Sequence, residues 1–296
     1  MSSKRINFIF LKHNLQTSIL TVLFIALSFS LAAQDLENAV LWKITAPESG
    51  KTSWVFGTIH AIPEADFHMP EAVKNRIAQA EVMYQEVDMD DLDQMKILNM
   101  MSLPDNKMLS DFLSEEEYEK FKKMLLKYDL KEAQIDYLST MKPVFSYGLV
   151  INSVYKNPVI FEQELVNLAK KNEIEIEGLE TLEFQLAIFD SIPIPEQINM
   201  FYEKGFSKEL KKILKIYLKQ DISKMVKMTT DSKMGDLEEA LLTRRNQKWA
   251  DTLQTILPEK SVFIAVGAGH LAGDNGLIPL LQKAGYEVTP VRFEFE

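Results

Sequence analysis

Histidine is scarce in this chain. Four occur in 296 residues, and two of them close matching runs about 210 residues apart. Ser53-Trp54-Val55-Phe56-Gly57-Thr58-Ile59-His60 and Val262-Phe263-Ile264-Ala265-Val266-Gly267-Ala268-Gly269-His270 are both apolar, strand-like stretches that stop in Gly-x-x-His. A glycine there lets the backbone turn tightly or approach a ligand. A histidine beyond a strand's carboxyl end stands where open α/β sheets build their sites. Two further strand-like segments end in carboxylates, residues 82–88 in Glu86 and Asp88 and residues 174–180 in Glu180. If these strands lie parallel in one sheet, His60, Glu86, Glu180 and His270 meet on one rim. Two imidazoles and a carboxylate suit a divalent cation such as Mn²⁺, Fe²⁺, Co²⁺ or Zn²⁺, with positions left for water. An ion of that kind brings the pKa of its water near neutrality. The spacing is not HExxH, which needs both histidines on one helical turn. The chain has no GxSxG elbow, Cys nucleophile, Walker loop or GxGxxG.

One arginine stands out by position. Residues 236–257 read as a long helix with Leu241, Trp249, Leu253 and Ile256 on its apolar stripe, and Arg245 falls on that stripe. An arginine aimed inward needs an anionic partner or a polar cavity; the other reading is a stem that covers apolar surface while its head reaches water. In a hydrolytic site Arg245 can stabilise an oxyanion. Glu180, or Glu86 where it is not a ligand, can act as general base. The plainer alternatives are that Glu86 and Asp88 form a solvated strand end, and that Glu180 merely neighbours a helix N-terminus. His68 has no strand context and reads as loop, and His13 lies in the leader.

The elements that would position these groups follow from periodicity. Residues 40–44 alternate, residues 47–51 carry turn chemistry, and residues 54–60 return, which predicts a hairpin. Residues 62–70 read as loop, 71–80 as a short helix and 82–88 as a strand. Residues 91–156 are helical, charged and Met-rich, with a capping signal at Ser114 followed by Glu115, Glu116 and Glu117. Residues 159–171 read as a helix, 174–180 as a strand and 196–228 as further helix. Residues 262–270 form the fifth strand. A helix over 277–284 ends at Gly285, and residues 286–295 read as a closing edge strand. Strand–helix–strand order at both ends predicts an α/β fold: a central mixed sheet flanked by helices, with large helical insertions at about 91–156 and 195–230.

The first 33 residues read as a secretory signal peptide. Lys4, Arg5 and Lys12 precede an apolar run, with small residues near Ala32. That run is short for spanning a bilayer, so cleavage is expected, leaving no membrane span and placing the chain in the periplasm or outside the cell. Residues 34–296 then form a single domain. Removing the three leader cations leaves 30 basic against 43 acidic residues, net −13. Such a balance argues against nucleic acid or anionic membrane as partner. With no cysteine, stability must come from the core and any metal.

Several of these stretches together resemble the TraB/GumN family. They are Leu41-Trp42-Lys43-Ile44, Gly57-Thr58-Ile59-His60, Gly178-Leu179-Glu180-Thr181, Arg245-Asn246 with Trp249, and Val266-Gly267-Ala268-Gly269-His270-Leu271-Ala272-Gly273. The wider group includes the Tiki metalloproteases, with erythromycin esterases and haem-binding lipoproteins more distant. The resemblance covers nearly all of the chain after the leader, and the paired Gly-x-x-His motifs are its most specific part. It implies an α/β fold and, for Tiki members, Mn²⁺- or Co²⁺-dependent peptide cleavage. It supports His60, Glu86 and His270 as metal ligands and Arg245 as catalytic, with Asn246 beside it. Two functions are carried forward. One is an exported metal-dependent hydrolase acting on a peptide or small-molecule substrate, with a metal-independent esterase as its chemical variant. The other is a non-catalytic protein that binds haem, a metal or a peptide on the same rim.

Overall fold

The computed structural model describes residues 36–88, 94–201, 206–230 and 239–295. The signal peptide, His13 and the first residues of the helix expected from 236 lie outside the described residues. Residues 37–296 make one compact unit.

Its centre is a six-stranded mixed sheet in the order β6-β4-β7-β2-β1-β8. The strands are β1 (Leu41–Thr45), β2 (Thr52–Thr58), β4 (Val82–Val87), β6 (Glu175–Glu180), β7 (Val262–Gly267) and β8 (Glu287–Pro290). Strands β6, β4, β7 and β2 run parallel, whereas β1 is antiparallel to both β2 and β8. The expected hairpin is the β1–β2 pair, registered Leu41 to Phe56 and Thr45 to Thr52. β7 explains the parallel core: its residues are apolar without alternation and buried throughout, the pattern of a strand covered on both faces. A two-stranded ribbon pairs β3 (Ala61–Pro63) with β5 (Pro158–Ile160).

Helices α1 (Glu71–Ile77), α2 (Gln94–Met101), α3 (Glu115–Leu126), α4 (Glu132–Leu138), α5 (Pro143–Tyr155) and α6 (Phe161–Lys171) precede β6. After it come α7 (Leu182–Asp190), α8 (Ile194–Phe201), α9 (Phe206–Tyr217), α10 (Ile222–Thr230), α11 (Arg244–Ile256) and α12 (Leu277–Lys283). The middle helices carry a core of their own: Leu109, Phe121, Leu125, Leu138, Val150 and Ile198 pack together away from the sheet. Ser114 caps α3 as its sequence predicts, with Glu117 closing the box on the Ser114 amide.

Several boundaries differ from expectation: residues 61–63, read as loop from 62 onward, form β3, and the strand read over 262–270 ends at Gly267 and gives way to a 3₁₀ turn. Residues 158–160 are a strand rather than the start of a helix, because Val159 and Ile160 find ladder partners in Ile62 and Ala61. A π-turn at Glu239–Thr243 precedes α11, and its Leu241 carbonyl accepts from Arg245. β8 ends at Pro290 instead of running to 295, although Val291 N still donates to the Leu41 carbonyl of β1 at 2.8 Å.

Candidate active site

Four neighbouring parallel strands each deliver one polar group to the same rim. β6 ends in Glu180, β4 carries Glu86, β2 leads into His60, and β7 leads into a 3₁₀ turn, Ala268–His270, bearing His270. The two motif glycines do different work. A Cβ on Gly57 would strike Leu271 Cδ1 at 2.7 Å and Ala268 Cα at 2.9 Å, so its absence lets the His270 turn lie on β2. A Cβ on Gly267 would point into the site itself, 3.3 Å from Glu86 Oε1, 3.3 Å from His60 Nε2 and 3.6 Å from His270 Cδ2. That focal point is open because position 267 is glycine.

Each imidazole is held from behind. His270 Nδ1 lies 2.7 Å from Asn246 Oδ1. The Asn246 amide nitrogen donates to the Asn275 carbonyl, so Nδ1 of His270 is the donor and Nε2 bears the lone pair. Trp249 packs on the His270 ring at 4.6 Å between centroids. His60 is held by Glu162: its Nδ1 lies 2.7 Å from Glu162 Oε1, leaving Nε2 towards Gly267. His60 is also one of the non-glycine residues with positive φ, at 60°. Its side chain is 63 % exposed, against 11 % for Glu86 and 7 % for His270, so the site opens on the His60 side.

Arg245 sits behind these groups with a 6 % exposed side chain. A guanidinium has five N–H donors, and each has a partner. Nε reaches Glu180 at 3.0 Å. Nη2 reaches Glu180 Oε1 at 2.7 Å and Glu86 Oε2. Nη1 reaches the Leu241 carbonyl at 2.9 Å and His270 Nε2 at 3.1 Å. Its plane also lies over Trp249, 4.7 Å from the ring centroid. The Glu180 side chain is fully shielded from solvent, so Glu180 faces Arg245 and not the opening. Besides Arg245, Glu86 accepts from two groups: Gly267 N at 2.8 Å and Gln185 Nε2 at 3.0 Å.

Electrostatics follow from this packing. Burial opposes the charge on Glu86, but the neighbouring His270, Arg245, His60 and the Gly267 amide outweigh it and hold the carboxyl down at about 2. Burial raises Glu180, with Arg245 working against it. Burial likewise pushes His270 down to about 3, so its ring is neutral. Glu162 draws His60 upward, to about 9. Glu86 and Glu180 share the single cation of Arg245, and the buried cluster keeps one unit of negative charge in excess.

Among the described residues, no group of three or more His, Cys, Asp or Glu side chains stands ready to hold a metal ion. Arg245 stands in the way, since it occupies both His270 Nε2 and Glu86 Oε2. The donor chemistry nevertheless fits a divalent first-row cation. One imidazole nitrogen, His60 Nε2, and one carboxylate oxygen, Glu86 Oε1, face one point with the Cδ2 edge of the His270 ring, whose Nε2 lies 3.8 Å from the same Glu86 oxygen; each ring is backed by a hydrogen-bonding partner, beside excess negative charge.

Of the residues singled out from sequence, His60, Glu86, Arg245, Asn246, Glu180 and His270 therefore lie in one connected network, with Asn246 and Glu180 in its outer layer. His68 stands apart, in the coil before α1. Sequence reasoning missed Glu162, Gln185 and the packing role of Trp249. Glu162 looks like any first-turn acid of a charged helix, and only the proximity of α6 to β2 reveals it.

A mixed α/β sheet whose parallel strand ends present two histidines and buried carboxylates on one rim defines the class. The chain belongs to the TraB/PrgY/gumN family, whose model matches residues 40–290. It is similar to Metalloprotease TIKI2 of Danio rerio, with 23% identity over 85% of this chain and 60% of that protein. It is also similar to Metalloprotease TIKI1 of Xenopus tropicalis, with 25% identity over 86% of this chain and 62% of that protein. Metalloprotease TIKI1 of Homo sapiens shows 25% identity over 85% and 61%. The chain thus spans about three fifths of the length of these relatives. No solved structure matches it.

Proposed function

We propose that this protein is an exported, metal-dependent hydrolase that cleaves peptide bonds. One observation carries the reading: both Gly-x-x-His histidines and Glu86 converge on the point left open by Gly267. The names of the relatives agree with it. His60, Glu86 and His270 would hold the ion, Mn²⁺ or Co²⁺ before Zn²⁺ or Fe²⁺, and the ion supplies a water acidic enough to attack near neutral pH.

The chain's own groups take the remaining roles. His60, at the open side, meets the substrate first. Asn246 fixes the tautomer of His270, so that Nε2 presents its lone pair. Glu180 does not reach substrate; it clamps Arg245 through Nε and Nη2. Arg245 gains a free donor only when His270 Nε2 is engaged elsewhere, because its five N–H groups are otherwise used. The released Nη1–H is then available to the developing oxyanion of a peptide carbonyl. The acidic surface fits peptide rather than nucleic acid.

The test is metal analysis of protein purified without chelator, followed by assays on peptide and ester panels. Peptide hydrolysis lost on chelation and restored by Mn²⁺ or Co²⁺ is the expected result. Hydrolysis that survives chelation removes the metal from the reaction. A second reading, a non-catalytic binding protein, draws on the full saturation of Arg245. Metal-loaded protein inactive on every substrate would favour that reading.

A further inference from the structure

His60 is the exposed member of the site and the one with a strained backbone, so something must hold it. A non-glycine residue in the left-handed region persists only where its surroundings determine it. Three restraints converge on its neighbourhood. The His60 carbonyl accepts from Phe161 N at 2.8 Å. The residue after it, Ala61, enters the ribbon opposite Ile160. Glu162 then takes two donors on one oxygen: Thr58 Oγ1 at 2.7 Å and His60 Nδ1 at 2.7 Å.

Glu162 is itself anchored from both sides. Its carbonyl accepts from the buried Gln85 Nε2 at 3.1 Å. Phe161 before it is fully buried and meets Phe56, Phe67 and Tyr217 at 6.0, 5.2 and 5.8 Å between centroids. The carboxylate is thus placed by the core and not by the loop it restrains.

We propose that Glu162 is a positioning residue, which fixes the His60 ring so that Nε2 faces the Gly267 focal point for a divalent first-row cation. This rests on reading that point as a metal centre. A carboxylate accepting from Nδ1–H sets the tautomer, restricts ring rotation and makes the other nitrogen a better donor to an ion. Thr58 contributes by holding the same oxygen in place.

Co²⁺ titration of the full chain, followed by visible absorption, tests this together with melting temperature. Glu162→Gln keeps the shape and removes the charge. Its Co²⁺ affinity should fall about 10–100-fold with little change in melting temperature. At saturating Co²⁺ kcat should recover more fully than affinity, which a purely structural role would not produce. Should that variant not fold, Glu162→Asp keeps the charge but draws it back by a methylene, and the same loss is expected. In the metal-free wild type, a downfield His60 Nδ1–H proton signal should be present, and Glu162→Gln should move it upfield. Wild-type Co²⁺ affinity in either variant overturns the assignment of Glu162 while leaving the metal centre standing. A wild type that binds neither Co²⁺ nor Mn²⁺ overturns the metal centre and this role with it.

Discussion

Gly267→Ala is the most discriminating single change, because it acts on the focal point while sparing the fold. The backbone at Gly267 has φ −55° and ψ 136°, which alanine adopts freely. Replacing glycine by alanine at such a position stabilises by about 0.4–1 kcal/mol through the unfolded chain. The added methyl would lie 3.3 Å from both Glu86 Oε1 and His60 Nε2, close enough that each must yield by a few tenths of an ångström. Metal sites tolerate about ±0.2 Å in ligand distance. Ion affinity should therefore fall by at least about tenfold, the lower end of what displaced supporting groups cost. Melting temperature should hold or rise. Isothermal titration with Mn²⁺ and Co²⁺ beside thermal unfolding reads both quantities from one preparation. An alanine variant with wild-type ion affinity refutes the placement of the ion at this point.

Gly57→Ala should behave in the opposite way: its Cβ would strike the Ala268 backbone, so overpacking of about 1–3 kcal/mol should lower the melting temperature. Denaturant unfolding of Arg245→Ala should show a loss of about 3–5 kcal/mol, since two buried carboxylates lose their cation. Arg245→Lys should recover only part of it, having three donors for five acceptors. A loss below about 1 kcal/mol would mean that Arg245 does not hold α11 to the sheet. For export, mass spectrometry of the native protein should find a mature N-terminus between Ala32 and Asp35; an intact Met1 would contradict the leader.

Periodicity was most legible where one rule decided. The unbroken apolar run of β7 marks a parallel strand buried on both faces, and the turn residues before Thr52 mark the β1–β2 hairpin. The inward position of Arg245 on its stripe also held: it is buried, and its anionic partners are Glu86 and Glu180. Tertiary pairing hid the rest. Residues 158–160 become strand only because residues 61–63 lie beside them, about a hundred positions earlier. Glu162 follows from the same pairing, which brings the start of α6 against the end of β2. The orientation of Glu180 was equally unreadable, because a carboxylate at a strand end can face solvent or a guanidinium, and only the packing of α11 decides.

The position of β7 in the sheet bears on when the site can come into being. β7 is the seventh strand made but lies between β4 and β2. Until residues 262–267 are in place, β4 and β2 lack the strand that separates them, and each presents unpaired backbone groups along that side. Closing so long a chain segment is slow as well as entropically costly. His60 and Glu86 consequently lack the strand that spaces them until residues 262–267 have been made and docked. The rim is assembled in the same event that completes the core, so a chain caught before that event has neither a closed sheet nor a site.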